Sequence, residues 1–196
     1  MNSVRYWLGL LTLMATPPGI VIWFLVHPFA GFWRRAGPWM TYMAMAIVSL
    51  GMMAATWMWR VPLMGADLGT NYWTVAVGLV AVVLGGSITI MRKRHLTTAI
   101  LSGLPEVSPE QYPGKLLQDG IYGIIRNPRY VEVVLWVWGY ALVANHVGVY
   151  VLAGLTPPAL YLVVLLEERE LRQRFGEDWD DYAARVPRFI PRGRRS

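Results

Sequence analysis

Two short stretches hold the residues best able to do chemistry. One covers residues 120–130 and contains Gly120, Tyr122, Arg126, Asn127, Pro128 and Tyr130. The other is Leu165, Leu166, Glu167 and Glu168. Asparagine is a good N-cap and proline suits the first helical position, so Asn127 and Pro128 read as the start of a helix. A helix start offers free N–H groups and the positive end of a dipole. With Arg126 beside it, that end could hold a carboxylate or phosphate, or it could do no more than begin the helix. Glu167 and Glu168 have two readings of their own. They could bind a cation, or they could be the solvated start of a helix extension with Arg169 and Arg172 as partners.

The elements that position these residues are membrane helices. The chain has 196 residues, 55% of them hydrophobic, and a mean hydropathy of +0.38. Four runs carry no charge: 6–26, 36–59, 68–91 and 133–166. A membrane span needs roughly 20 apolar residues, so each of the first three fits one helix. The fourth is too long for one. Asn145, His146, Val147 and Gly148 lie near its middle and form turns readily. The run therefore reads as a tight hairpin whose first helix begins near Pro128. The expected fold is all-α, an integral membrane bundle of about five spans. Residues 1–91 form a three-span scaffold, and 92–196 hold the hairpin, a connecting loop and an amphipathic tail. The first run is long for a signal peptide and lacks a small-residue cleavage site, so it is expected to be a retained helix.

A hairpin returns the chain to the face it left, so Arg126 and the Glu pair should lie at one depth at one membrane edge. Charge there is costly and is kept mostly where it serves a site. An anion site facing a cation site would suit a zwitterion with extra positive charge, and S-adenosylmethionine is such a molecule. A purely structural Arg–Glu bridge would look the same in sequence.

The net charge is +6. Arg34 and Arg35 follow the first span. Arg92, Lys93, Arg94, Lys115, Arg126 and Arg129 lie between the third and fourth, and Arg185, Arg188, Arg192, Arg194 and Arg195 in the tail. With five spans these all fall on one side, which the positive-inside rule makes cytoplasmic, with the N-terminus external. No groove of interleaved basic and aromatic residues points to nucleic acid. There is no cysteine, which excludes disulfides, thiolate metal sites and cysteine nucleophiles. His27, His95 and His146 are scattered without metal-ligand spacing, so no metal site is expected.

Along the chain, Pro17–Pro18 and Pro157–Pro158 could kink their spans and open space inside the bundle, or be tolerated bends. Gly85, Gly86 and Ser87 offer a small face for close helix contact. Trp7, Trp23, Trp33, Trp39, Trp57, Trp59 and Trp73 fall near span ends and read as an aromatic belt. Residues 103–114 read as a loop folded over the cytoplasmic face. Leu171 and Phe175 continue the last span to a stop at Gly176. Asp178 then caps a short helix carrying Trp179, Tyr182 and Val186 on one face.

In order and spacing these pieces resemble the isoprenylcysteine carboxyl methyltransferases and related phospholipid methyltransferases. These are membrane enzymes that use S-adenosylmethionine. The resemblance covers about 115–191. It rests on Leu116, Leu117, Gly120 and Tyr122; on Arg126, Asn127, Pro128 and Tyr130; on Asn145; on Glu167, Glu168, Phe175 and Gly176; and on Trp179, Tyr182, Arg185, Arg188 and Pro191. It implies a cofactor at the cytoplasmic edge, contacted by Leu116, Leu117, Gly120, Tyr122, Asn127, Pro128, Tyr130, Glu167 and Glu168. Arg126, Glu168 and Arg188 would serve catalysis, and Arg126, Asn145, Arg185 and Arg188 the substrate. A lipophilic carboxylate, amine or thiol would enter sideways between helices. The best-known members have histidine where this chain has Asn127, so a histidine base at that spot is ruled out. The tail also resembles that of membrane sterol reductases, which bind a nicotinamide cofactor at an equivalent edge. A non-catalytic scaffold is the remaining alternative.

Overall fold

The computed structural model describes residues 2–94 and 115–191. Its elements are α1 (Asn2–Val26), α2 (Ala30–Ala36), α3 (Pro38–Met58), α4 (Arg60–Met64), α5 (Tyr72–Lys93), a 3-10 turn (Gly120–Gly123), α6 (Pro128–Ala144), α7 (Val147–Phe175) and α8 (Glu177–Arg185). The described residues contain no strand, only an isolated bridge between Asp67 and His146. The loop expected at 103–114 lies outside the described residues, as do His95, Arg192, Arg194 and Arg195.

Among the described residues, four helices are long and apolar enough to cross a membrane: Ser3–Val26, Pro38–Met58, Tyr72–Lys93 and Val147–Phe175. The fifth expected span is α6, whose 17 residues reach about 26 Å, the short limit for a crossing. The hairpin turn falls where the sequence places it. Ala144 ends α6, Asn145 takes a left-handed φ of 54°, and Val147 begins α7. Both proline pairs sit inside unbroken helices.

The bundle is built on α6. Antiparallel to it, α5 packs so closely that Gly78 and Gly139 touch backbone to backbone: a Cβ on Gly78 would stand 2.7 Å from the Gly139 carbonyl oxygen. Gly85 lies under Trp136, whose ring a Cβ there would meet at 2.2 Å. The expected small face is therefore Gly78 and Gly85. Gly86 faces open space, and Ser87 returns its hydroxyl to the Val83 carbonyl at 2.9 Å. The core gathers α1, α6 and α7 around Leu10, Leu13, Val137, Ala141, Val149 and Ala153.

A polar knot closes the end that holds the hairpin turn. Buried Arg5 pairs with Asp67 and donates to the Asn145 carbonyl at 3.4 Å. The Asn145 amide donates to the Gly69 carbonyl at 2.8 Å, and Tyr150 donates to the Asn145 side chain at 2.9 Å. Two backbone bonds join the same segments: Leu68 N–H donates to the Asn145 carbonyl and Val147 N–H to the Ala66 carbonyl, both at 3.0 Å. Arg34, Arg92, Arg126 and Arg188 lie with their acidic partners at the opposite end, where α1, α5 and α7 finish and α6 begins.

Candidate active site

At that opposite end three segments meet on one carboxylate. Glu168, 9% exposed, stands where α7 leaves the apolar region. The Asn127 amide donates to it at 2.9 Å and Arg126 from Nη2 at 3.2 Å. Arg188 donates from Nη2 at 2.6 Å and from Nε to both oxygens at 3.1 Å. Arg126 Nε also donates to Glu168 at 3.4 Å, while Nη1 turns to the tail and donates to the carbonyls of Ala183 at 2.6 Å and Val186 at 2.8 Å. Two backbone bonds fasten the same segments, Arg126 N–H to Pro187 O at 2.9 Å and Asn127 N–H to Arg188 O at 3.2 Å. A buried carboxylate with this many charged donors is well satisfied. Its work here is to clamp the mouth of α6 and the tail onto α7.

Glu167 is placed differently. It is half-buried and accepts a hydrogen bond from the Tyr130 hydroxyl. A carboxylate has about four acceptor positions, so this one can still receive a cation. Neither glutamate pairs with Arg169 or Arg172; Arg172 binds Asp180 instead.

Tail and turn complete the edge. Gly176, not Asp178, stands at the N-cap of α8, and Asp178 falls in its first turn. A glycine at φ 54° lets the chain bend at once from α7 into α8, which leaves no separate capping residue. Trp179 and Tyr182 are buried, and the Arg126 guanidinium lies 5.8 Å from the Trp179 ring. Tyr182 donates to the Tyr122 carbonyl at 2.7 Å, tying α8 to the Gly120–Gly123 turn. Burial pushes the Tyr182 phenol up to about 12 and raises the Tyr122 phenol as well. The hydrogen bond to Glu168 raises Arg188 further above its ordinary value.

The residues singled out in the sequence thus divide. Arg126, Asn127, Pro128, Tyr130, Glu167, Glu168 and Arg188 come together. Gly120 and Tyr122 lie on the Gly120–Gly123 turn and Leu116 and Leu117 in the segment before it, all half-buried except exposed Gly120. Arg185 is exposed and donates to Gln118 at 3.3 Å, away from Glu168. Asn145 belongs to the knot at the other end, 17 residues of helix and about 25 Å from Pro128.

Beside this edge lies a cavity of about 490 Å³ between α1, α6 and α7. It is walled by apolar side chains, with Trp23, Arg129 and Tyr130 at one end and Leu8 and Tyr140 at the other. Sequence reading counted Arg129 only among the charges between spans, whereas it stands in the first turn of α6. It also left Trp23 to the belt, and passed over Glu132. That acid is 5% exposed and pairs with Arg92 at 3.0 Å. An acid inside an apolar helix is itself a signal.

The sequence profile of the phospholipid methyltransferase family matches residues 73–178. Protein-S-isoprenylcysteine O-methyltransferase B of Arabidopsis thaliana is 29% identical over 127 residues, 63% of this chain and 62% of that protein. Methanethiol S-methyltransferase 1 of Bradyrhizobium diazoefficiens is 28% identical over 163 residues, 77% of this chain and 53% of that protein. A probable protein-S-isoprenylcysteine O-methyltransferase of Oryza sativa is 30% identical over 125 residues, 62% of this chain and 63% of that protein. The chain thus spans between 53% and 63% of the length of these relatives. No solved structure matches it. With more than half of its length inside the matched profile, including Arg126, Asn127, Tyr130, Glu167 and Glu168, the chain belongs to the phospholipid methyltransferase family.

Proposed function

We propose that this protein is an integral membrane methyltransferase that carries a methyl group from S-adenosylmethionine to a lipophilic acceptor. The observation that carries the reading is the clamp of Arg126, Asn127 and Arg188 on Glu168, set beside the half-free carboxylate of Glu167 and opening next to an apolar cavity. Family membership supports it. A nicotinamide reductase draws no support from the relatives.

The charge at this edge supports the cofactor. Glu167 has acceptor positions left for an ammonium or sulfonium, and the Gly120–Gly123 turn offers a backbone surface to an adenosine. Leu116, Leu117, Tyr122, Asn127, Pro128 and Tyr130 would complete the contacts. When bound, S-adenosylmethionine supplies an electrophilic methyl carbon that an acceptor atom takes by direct displacement. The protein's part is alignment and exclusion of water. Glu168 would act through the groups it fixes, holding Arg126 and Arg188 at the helix mouth. The same edge carries Arg34, Arg35, Arg92, Lys93, Arg126 and Arg129, and we assign it to the cytoplasm, with the N-terminus on the other side.

Calorimetry of S-adenosylmethionine on the purified protein tests the reading, followed by incubation with methyl-labelled cofactor and a membrane lipid extract. Saturable binding and a labelled lipid are expected. Absence of cofactor binding by folded protein would end the proposal.

A further inference from the structure

The clamp on Glu168 makes no use of His27, yet the structure ties this residue to the cavity. It stands at the end of α1 with its side chain 2% exposed. Nδ1 lies 2.9 Å from one oxygen of Glu170 on α7, and Arg34 on α2 donates to the other oxygen at 2.8 Å. The imidazole stacks on Trp23, one turn back along α1, with ring centres 5.1 Å apart and planes 18° from parallel. The same indole carries the Arg129 guanidinium of α6, 4.5 Å from its centre. Trp23 and Arg129 line one end of the cavity between α1, α6 and α7. One series of contacts therefore runs from Arg34, through Glu170, His27 and Trp23, to the cavity end.

A single ring atom in this series has no partner. His27 Nε2 is buried and makes no hydrogen bond among the described residues. An ionised carboxylate only accepts, so Nδ1 carries its proton toward Glu170. In the neutral ring Nε2 is then a bare acceptor. Proton uptake from solvent turns it into a buried N–H donor that faces no acceptor, which is costly. The charged groups around the ring are Glu170 and Arg174 from α7, Arg34 and Arg35 from α2, and Arg129 from α6. Glu167, one turn before Glu170, is held by Tyr130. Glu170 favours an imidazolium where it stands. The four arginines repel it, and an imidazolium competes with Arg129 for the same indole.

We propose that His27 is a proton-operated latch on this end of the cavity. While neutral, the ring stays stacked and holds Trp23 in place for Arg129. Once protonated, Nε2–H turns toward water, the ring leaves the face of Trp23, and the end lined by Trp23 and Arg129 loosens. Histidine is the side chain whose charge changes near physiological pH, so the end is fastened on the alkaline side of that range and loose on the acid side. The latch concerns the cavity alone and stands whether or not the chain transfers a methyl group.

The test uses the full chain in uncharged detergent. Ring-nitrogen NMR of isotope-labelled histidine reads tautomer and charge; the sequence has three histidines, and loss of one signal in His27→Phe identifies the ring. Release of a mid-chain brominated long-chain alcohol, a probe that does not itself titrate, is followed by recovery of tryptophan fluorescence at about pH 8 and about pH 5.5, either side of histidine titration. His27 is expected to be neutral and protonated on Nδ1 at the higher pH. Acidification should speed release about fivefold, as loss of one aromatic contact implies. His27→Phe keeps a stacked ring that cannot take a proton, and should release slowly at both pH values. His27→Gln gives up the stack and should release fast at both, a split that a merely structural histidine would not produce. Should His27→Gln fail to fold, His27→Phe decides alone. A ring protonated on Nε2 at the higher pH, release indifferent to pH in the unmodified chain, or acid acceleration that persists in His27→Phe would each overturn the proposal.

Discussion

Tyr130 on α6 donates its hydroxyl to Glu167 on α7. One residue further along α7, Glu168 is saturated by Arg126, Asn127 and Arg188. Adjacent glutamates on a helix point about 100° apart, so one can seal the structure while its neighbour faces a ligand. The two should respond differently to the same substitution.

Glu167→Gln should leave the protein folded and weaken S-adenosylmethionine binding by roughly tenfold to a hundredfold, since one charge-assisted contact is lost. Tyr130→Phe should weaken it less, by freeing the carboxylate it orients. Calorimetry together with a thermal unfolding curve reads both effects. An unchanged affinity in Glu167→Gln would remove that residue from the cofactor site.

Glu168→Gln should instead strike stability. Removing one partner of a buried ion pair costs about 3–5 kcal/mol because the remaining charges stay buried, and here two arginines are left behind. The unfolding midpoint in detergent should fall sharply, and protease should cut the tail near Arg185 and Arg188 sooner. A variant as stable as the parent would show that Glu168 does not hold the segments together.

Gly148→Ala should fail to assemble. A Cβ at this position would stand 1.6 Å from the Leu63 carbonyl oxygen and 2.8 Å from its carbon, so α4 and the start of α7 would have to separate. Gly154→Ala, with open space around its Cβ, is the matched control and should express normally. Similar yields of folded protein from the two would contradict this packing.

The dependence on pH has two parts. Tyr182 has a folded-state value of about 12 against 10.0 for the free phenol. A raised value gives stability that is fully present below pH 10 and is lost as pH climbs toward 12. Tyr182 therefore stays neutral through the working range, and Tyr182→Phe should cost about 1 kcal/mol without moving any pH profile below pH 9. Asp67 goes the other way: the Gly69 N–H and then Arg5 hold its carboxyl below the usual 3.8. Its contribution is present above that value and fades as pH falls through the depressed one. Asp67→Asn should flatten this acid limb in an unfolding series. Persistence of the limb would assign it to another carboxylate.

The sequence by itself determined the local structure. Run lengths set the helices, Asn127 and Pro128 the start of α6, Asn145 the reversal before α7, and Gly176 the stop after Phe175, because caps and apolar length act within a turn or two. The order of Arg126, Tyr130, Glu167 and Glu168 along a hairpin was enough to place them at one edge. Only the tertiary structure decided what each does there. It gave Glu168 to the clamp and Glu167 to the Tyr130 hydroxyl, moved Asn145 to the far knot, chose Gly78 and Gly85 over Gly86 for the close contact, and brought Arg129 onto Trp23 from a helix more than a hundred residues away in sequence. Such choices depend on helix rotation and on which partners arrive from distant parts of the chain. Side-chain type and spacing cannot fix either, since a free carboxylate and a saturated one are the same two letters in a row.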